Sequence, residues 1–115
     1  MLGEHGEKRA ADFLLQKNFS ILDTNFQVGT HEIDIVAMDN EVNELVFVEV
    51  KTRSEAFFGN PSDAVDRVKF RALRRAAALY ISAKKLWHLD YRFDIIAVLP
   101  NSIDHYQNVT WGMVK

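Results

Sequence analysis

Two short apolar stretches carry the side chains best suited to chemistry. Glu32 and Asp34 lie in His31-Glu32-Ile33-Asp34-Ile35, and Glu49 and Lys51 in Phe47-Val48-Glu49-Val50-Lys51. Successive side chains of a β-strand point to opposite faces, so Glu32 shares a face with Asp34, and Glu49 with Lys51. If the connecting loop closes symmetrically, with Asp39 opposite Glu44, the same register sets Asp34 against Glu49 and Glu32 against Lys51. Directly opposed Cβ atoms stand about 4.5–5.5 Å apart, and two carboxylates so placed repel. A divalent cation would offset that repulsion, because hard cations take oxygen ligands. The plain alternative is a half-exposed hairpin of alternating charges, with Glu32–Lys51 a cross-strand pair of small worth. A slip of one residue would separate the groups altogether.

The elements that must position these residues can be read from periodicity. Residues 4–17 read as a helix, with Ala10, Phe13, Leu14 and Lys17 near one face. Residues 19–27 and 31–39 read as strands joined by a turn at Gly29-Thr30. Residues 40–44 form a loop, and residues 45–52 a strand rich in β-branched and aromatic side chains. Residues 54–62, with Gly59, Asn60 and Pro61, read as a loop. A long helix follows, capped at Asp63 or Asp66 and ending near Lys85. Residues 91–99 form a nearly continuous apolar strand of the kind buried on both faces. The tail, residues 102–111, adds one short strand or edge segment. The order α-β-β-β-α-β implies an antiparallel hairpin beside a parallel pair, hence an α/β fold with a mixed central sheet flanked by helices.

At 115 residues the chain is expected to form one domain with one core. It has no cysteine, which excludes a disulfide framework and a thiolate metal site. No stretch reaches the roughly 18–20 apolar residues of a membrane helix, and residues 1–15 lack the apolar run of a signal peptide. A cytoplasmic location is the expectation. The formal net charge of −2 counts against a simple nucleic-acid binder, so the distribution of charge decides. From Arg67 to Lys85 there is no acidic residue. Arg67, Arg71, Arg74 and Arg75 fall on one stripe, with Lys69 on its flank, opposite a core stripe of Phe70, Leu73, Ala77, Tyr80 and Ile81. Such a face suits phosphate contacts, and a solvated helix surface is the plain alternative. Phe57-Phe58-Gly59 offers aromatic rings for stacking on an unpaired base, or for burial beneath the loop. The four histidines, at 5, 31, 88 and 105, show no metal-ligand spacing and read as surface or hydrogen-bonded residues. Asp94 reads as a structural ion-pair partner of Arg92 or a helix arginine.

Taken in order, Gly6-Glu7 with Ala10 or Ala11, Glu32-Ile33-Asp34, Phe47-Val48-Glu49-Val50-Lys51, Lys69 and Arg92-Phe93-Asp94 resemble the YraN-type bacterial family. That family is similar to archaeal Holliday junction resolvases of the PD-(D/E)xK nuclease superfamily. The resemblance covers nearly the whole chain and implies a restriction-endonuclease-like core. It also implies a Mg²⁺ or Mn²⁺ site at Asp34 and Glu49 with the Val50 carbonyl, a catalytic lysine at Lys51, and a completing acidic residue at Glu7. Without the resemblance, Glu7 reads as first-turn charge complementing the helix dipole. His31 departs from the family pattern, which often has glycine there. The implied activity is metal-dependent endonucleolytic hydrolysis of branched or structured DNA, with a homodimer suggested by the two-fold symmetry of a junction. The competing reading is a non-catalytic nucleic-acid- or protein-binding module that keeps the fold.

Overall fold

The structure is a computed structural model that describes residues 2–53 and 67–109, with side chains described from 5 to 53 and from 70 to 109. The elements run α1 (Leu2–Gln16), β1 (Phe19–Val28), β2 (His31–Asp39), β3 (Glu44–Thr52), α2 (Arg67–Lys84), β4 (Asp90–Val98) and β5 (Ile103–Tyr106). The expected α/β order holds, and each boundary falls within about two residues of the periodicity reading apart from the tail strand, which is shorter than expected. The proposed caps of α2, the loop aromatics Phe57 and Phe58, and the side chains of Arg67 and Lys69 lie outside the described residues.

Left-handed residues end both helices. Asn18 follows α1 with φ 68° and Lys85 follows α2 with φ 59°. After α2 the amides of Leu86 and Lys85 turn back to the carbonyls of Ile81 and Ser82 at 2.9 and 3.2 Å. This is the Schellman pattern, which satisfies carbonyls the helix leaves open. Asn25, Asn43 and Asn108 also adopt positive φ, a conformation asparagine tolerates better than most residues.

The five strands form one sheet in the order β1-β2-β3-β4-β5. β2 and β3 pair antiparallel with Asp39 opposite Glu44, the expected register. β3 and β4 are parallel, with Val48 beside Asp94, and α2 supplies the crossover. The sheet is therefore mixed, and its two faces bury separate cores. Phe70, Leu73, Ala77 and Tyr80 of α2 pack with Leu45, Phe47, Phe93 and Ile95 on one face. Ala10 and Leu14 of α1 pack with Ile35, Ala37, Val46, Val48, Ile96 and Val98 on the other. Burial on both faces explains the continuous apolar run of β4. Each large aliphatic or aromatic side chain so buried contributes about 1.5–3 kcal/mol. No helix among the described residues is long and apolar enough to cross a membrane.

The sheet also buries charge. The Arg92 guanidinium donates to Asp94 at 3.0 Å and to Glu44 at 2.9 Å, and lies 3.1 Å from Asp39. Asp94, fully buried, also accepts from the His105 ring at 2.8 Å and the Asn108 amide at 2.9 Å. Burial pushes its carboxyl up, but the bonds from His105, Arg92 and Asn108 outweigh burial and hold it below the ordinary carboxylate range. The expected structural pairing of Asp94 with Arg92 is the observed one.

Candidate functional site

The strands β2 and β3 part company where the acidic residues begin. Their ladder runs from Asp39↔Glu44 to Ile35↔Val48 and stops there. On the other side of β2, the ladder with β1 steps from Thr24↔Ile35 to Phe26↔Ile33. Asp34 thus has a place in neither ladder, and Asn25, which would face it on β1, is left-handed with φ 52°. Ile33 packs into the core on the α2 side and Ile35 into the core on the α1 side. Two residues of equal parity therefore face opposite ways, so the strict alternation of β2 breaks at Asp34.

The break turns the Asp34 carboxylate toward β3. Its Oδ2 accepts the Val50 amide at 2.8 Å, a side chain doing what the neighbouring backbone does further down the ladder. A strand residue sends its N–H and C=O to the same side. The Val50 carbonyl accordingly faces the opening that Asp34 enters.

Glu7 reaches this opening from α1. Its carboxylate and those of Glu32 and Asp34 bring oxygens within 4.8 Å of one another. Asn25 donates to Glu7 Oε1 at 2.7 Å, so the irregular residue of β1 also holds the helix acid. Asp34 registers the crowding. Burial first, then the charge of Glu49, raise its pKa to about 7, with Glu7 and Glu32 adding to the rise and the Val50 amide opposing it. Chemically, three converging carboxylates form an all-oxygen donor set. That set fits a hard divalent cation such as Mg²⁺ or Mn²⁺.

Of the expected site residues, Glu7, Asp34 and Val50 therefore meet at one opening, together with Glu32, in a different pattern from the symmetric one. Glu49 is near enough to repel Asp34, but it stands outside the group of three. Its Oε2 lies 3.3 Å from Lys51 Nζ, both side chains being largely buried. Lys51 pairs with its own strand neighbour and not with Glu32, because the ladder ends before it could carry the register that far. Glu32 lies with Asp34, as their shared face suggested, and only its expected place opposite Lys51 is not found, since Lys51 pairs with Glu49. The signal was Asn25, an asparagine within a strand, which marks a left-handed residue and an interrupted alternation.

The remaining expectations fall out as follows. Arg71, Arg74 and Arg75 of α2 are exposed, so three members of the basic stripe face solvent. His5 and His88 are exposed and His105 is hydrogen-bonded. His31 is the exception, since its Nε2 is buried with no hydrogen-bond partner among the described residues.

Residues 6–98 match the uncharacterised protein family UPF0102. The chain belongs to that family. A UPF0102 protein of Carboxydothermus hydrogenoformans is 41% identical over 112 residues, covering 94% of this chain and 93% of its own. One from Geotalea daltonii is 47% identical over 98 residues, covering 85% and 76%. One from Thermodesulfovibrio yellowstonii is 42% identical over 107 residues, covering 93% of each chain. The matched span of the UPF0102 chain contains every residue of the opening between β2 and β3.

Proposed function

We propose that this UPF0102 protein is a metal-dependent endonuclease that hydrolyses phosphodiester bonds in branched or structured DNA. The observation that carries the reading is the convergence of Glu7, Glu32 and Asp34 beside the Glu49–Lys51 pair. A phosphodiester resists attack because it is anionic, and a divalent ion supplies charge neutralisation and acidified water. Asp34 and Glu49, with the Val50 carbonyl, are the ligands implied by the resemblance, and Glu7 and Glu32 are placed to complete the set. Lys51, paired with Glu49, would offset charge that builds on phosphorus. Glu49 fixes the direction of that ammonium. The exposed arginines of α2 would hold backbone phosphates away from the reacting bond.

The test measures Mg²⁺ and Mn²⁺ binding by calorimetry, and cleavage of four-way, flapped and linear DNA, on wild type and three variants. Asp34→Asn and Glu49→Gln should lose ion binding and cleavage while staying folded. Lys51→Ala should bind the ion and cleave at least tenfold more slowly. A wild type that binds no divalent ion, with both carboxylate variants less stable in chelator, would make the acidic group structural. The chain would then be read as a non-catalytic binding module.

A further inference from the structure

The turn between β1 and β2 stands off α2 and leaves a slot of about 280 Å³. Gly29, Thr30 and His31 line it from the hairpin, and Ala72, Arg75 and Ala76 from the helix. The three helix residues stand at i, i+3 and i+4, which makes them one face of α2. Two of them are alanines, and their small side chains leave the space unfilled. At Gly29, whose φ is 59°, an added Cβ would meet nothing within 4 Å, so the turn keeps an open side. The volume lies just under the roughly 300–1,000 Å³ of small-molecule sites, which suits one nucleobase and is too small for a base pair.

The chemistry of the slot is graded from inside to rim. His31 Nε2 is buried with no hydrogen-bond partner among the described residues. Buried polar atoms are nearly always paired, and one that is not has given up its bond with water for nothing. An occupant with a polar edge would restore that bond. The alanines and Val28 give apolar walls, and Arg75 stands exposed at the rim, one turn from Arg71. A guanidinium fork there matches the geometry of a phosphate. An unpaired nucleotide has the same gradation: a base with flat apolar faces and a polar edge, and a phosphate that stays in water.

We propose that the slot receives one unpaired base of the DNA strand, its edge on His31 and its phosphate on Arg75. His31 precedes Asp34 by three residues, about 10 Å of strand. The base is therefore held at the carboxylate end of the sheet, about three nucleotide rises from the bond presented there. The slot rests on the nuclease reading for its choice of DNA, and it names what that site would select. A bulge, flap or junction already holds a base out of its stack, so little is spent in extracting it.

The experiment uses the whole chain in chelator and two DNA duplexes carrying 2-aminopurine, one with that base paired and one with it as a single-base bulge. Wild type should bind the bulged duplex about tenfold more tightly and change its 2-aminopurine emission. Ala72→Leu, which fills the slot, should abolish the preference. His31→Phe, which keeps a ring and removes the nitrogen, and Arg75→Gln, at an exposed position that folding does not need, should each reduce it severalfold. Arg71→Gln should weaken both duplexes alike and leave the preference intact. Equal affinity for the two duplexes in wild type, binding of neither, or the full preference kept in folded Ala72→Leu or Arg75→Gln would overturn the slot. Calorimetry with Mn²⁺ on the same samples separates the two readings. Ion binding without a bulge preference sinks the slot alone, and a bulge preference without ion binding sinks the nuclease reading alone.

Discussion

Asp34 holds opposing demands in one side chain. It must be charged to bind a cation, yet its surroundings raise its pKa from 3.8 to about 7. A carboxylate raised on folding takes up protons that the unfolded chain would release. Its contribution to stability is therefore fully present below the unfolded value and is lost as pH rises to about 7. In chelator, Asp34→Asn should be the more stable protein at pH 8, by something on the order of 2 kcal/mol, and should gain nothing at pH 4. Urea unfolding at the two pH values checks this. Saturating Mn²⁺ should reverse the order at pH 8, because an ion that binds only the folded wild type stabilises it by mass action. Asp94 runs the other way. Its depressed pKa means stability that is present above the ordinary carboxylate range and lost as pH falls through the folded value. Asp94→Asn should cost about 3 kcal/mol, since it strips charge from a buried network while leaving Arg92 in place. It should also flatten the acid limb of a stability–pH curve.

At the level of elements, α1 can deliver Glu7 only because it runs unusually close to β3. A methyl group at Gly6 would collide with the Thr52 hydroxyl. Alanine is normally worth about 1 kcal/mol over glycine inside a helix, so the sign of the effect is informative. Gly6→Ala should destabilise by about 1–2 kcal/mol through overpacking. Adding Thr52→Ala should recover most of that loss in urea unfolding, because it removes the obstructing oxygen. The strands and their register were legible in the sequence. A short loop closing symmetrically, with Asp39 opposite Glu44, is enough to set how β2 and β3 pair. The company Lys51 keeps was not legible, because it follows from the ladder ending at Ile35↔Val48. Alternation is a rule about regular strands, and the candidate site sits where one strand is irregular. Glu7 was found by resemblance alone, since nothing local distinguishes it from an ordinary first-turn acid.

For the whole molecule, the separation of charge matters more than its sum. The carboxylates gather at one opening, while Arg71, Arg74 and Arg75 stand exposed on the helix that covers the other face of the sheet. Reversing Arg71 and Arg75 to glutamate should weaken binding of branched DNA across all sequences. It should also reduce the slope of log affinity against log salt by about one unit per lost phosphate contact. Equal slopes for a folded double variant and wild type would leave the stripe a solvated surface.

The irregularity of β1 has a further effect, on solubility. β1 is ten residues long and stands at an edge of the sheet, where unpaired backbone groups invite a strand from another copy. Its pairing shifts between Ile21 and Asp23, and Asn25 turns left-handed soon after. A strand bent twice within five residues offers no straight row of donors and acceptors. The opposite edge, β5, is only four residues long. The kink that places Asp34 and holds Glu7 thus also guards the sheet against growing by strand addition, and a substitution that straightened β1 would expose the protein to aggregation as well as disordering its acidic residues.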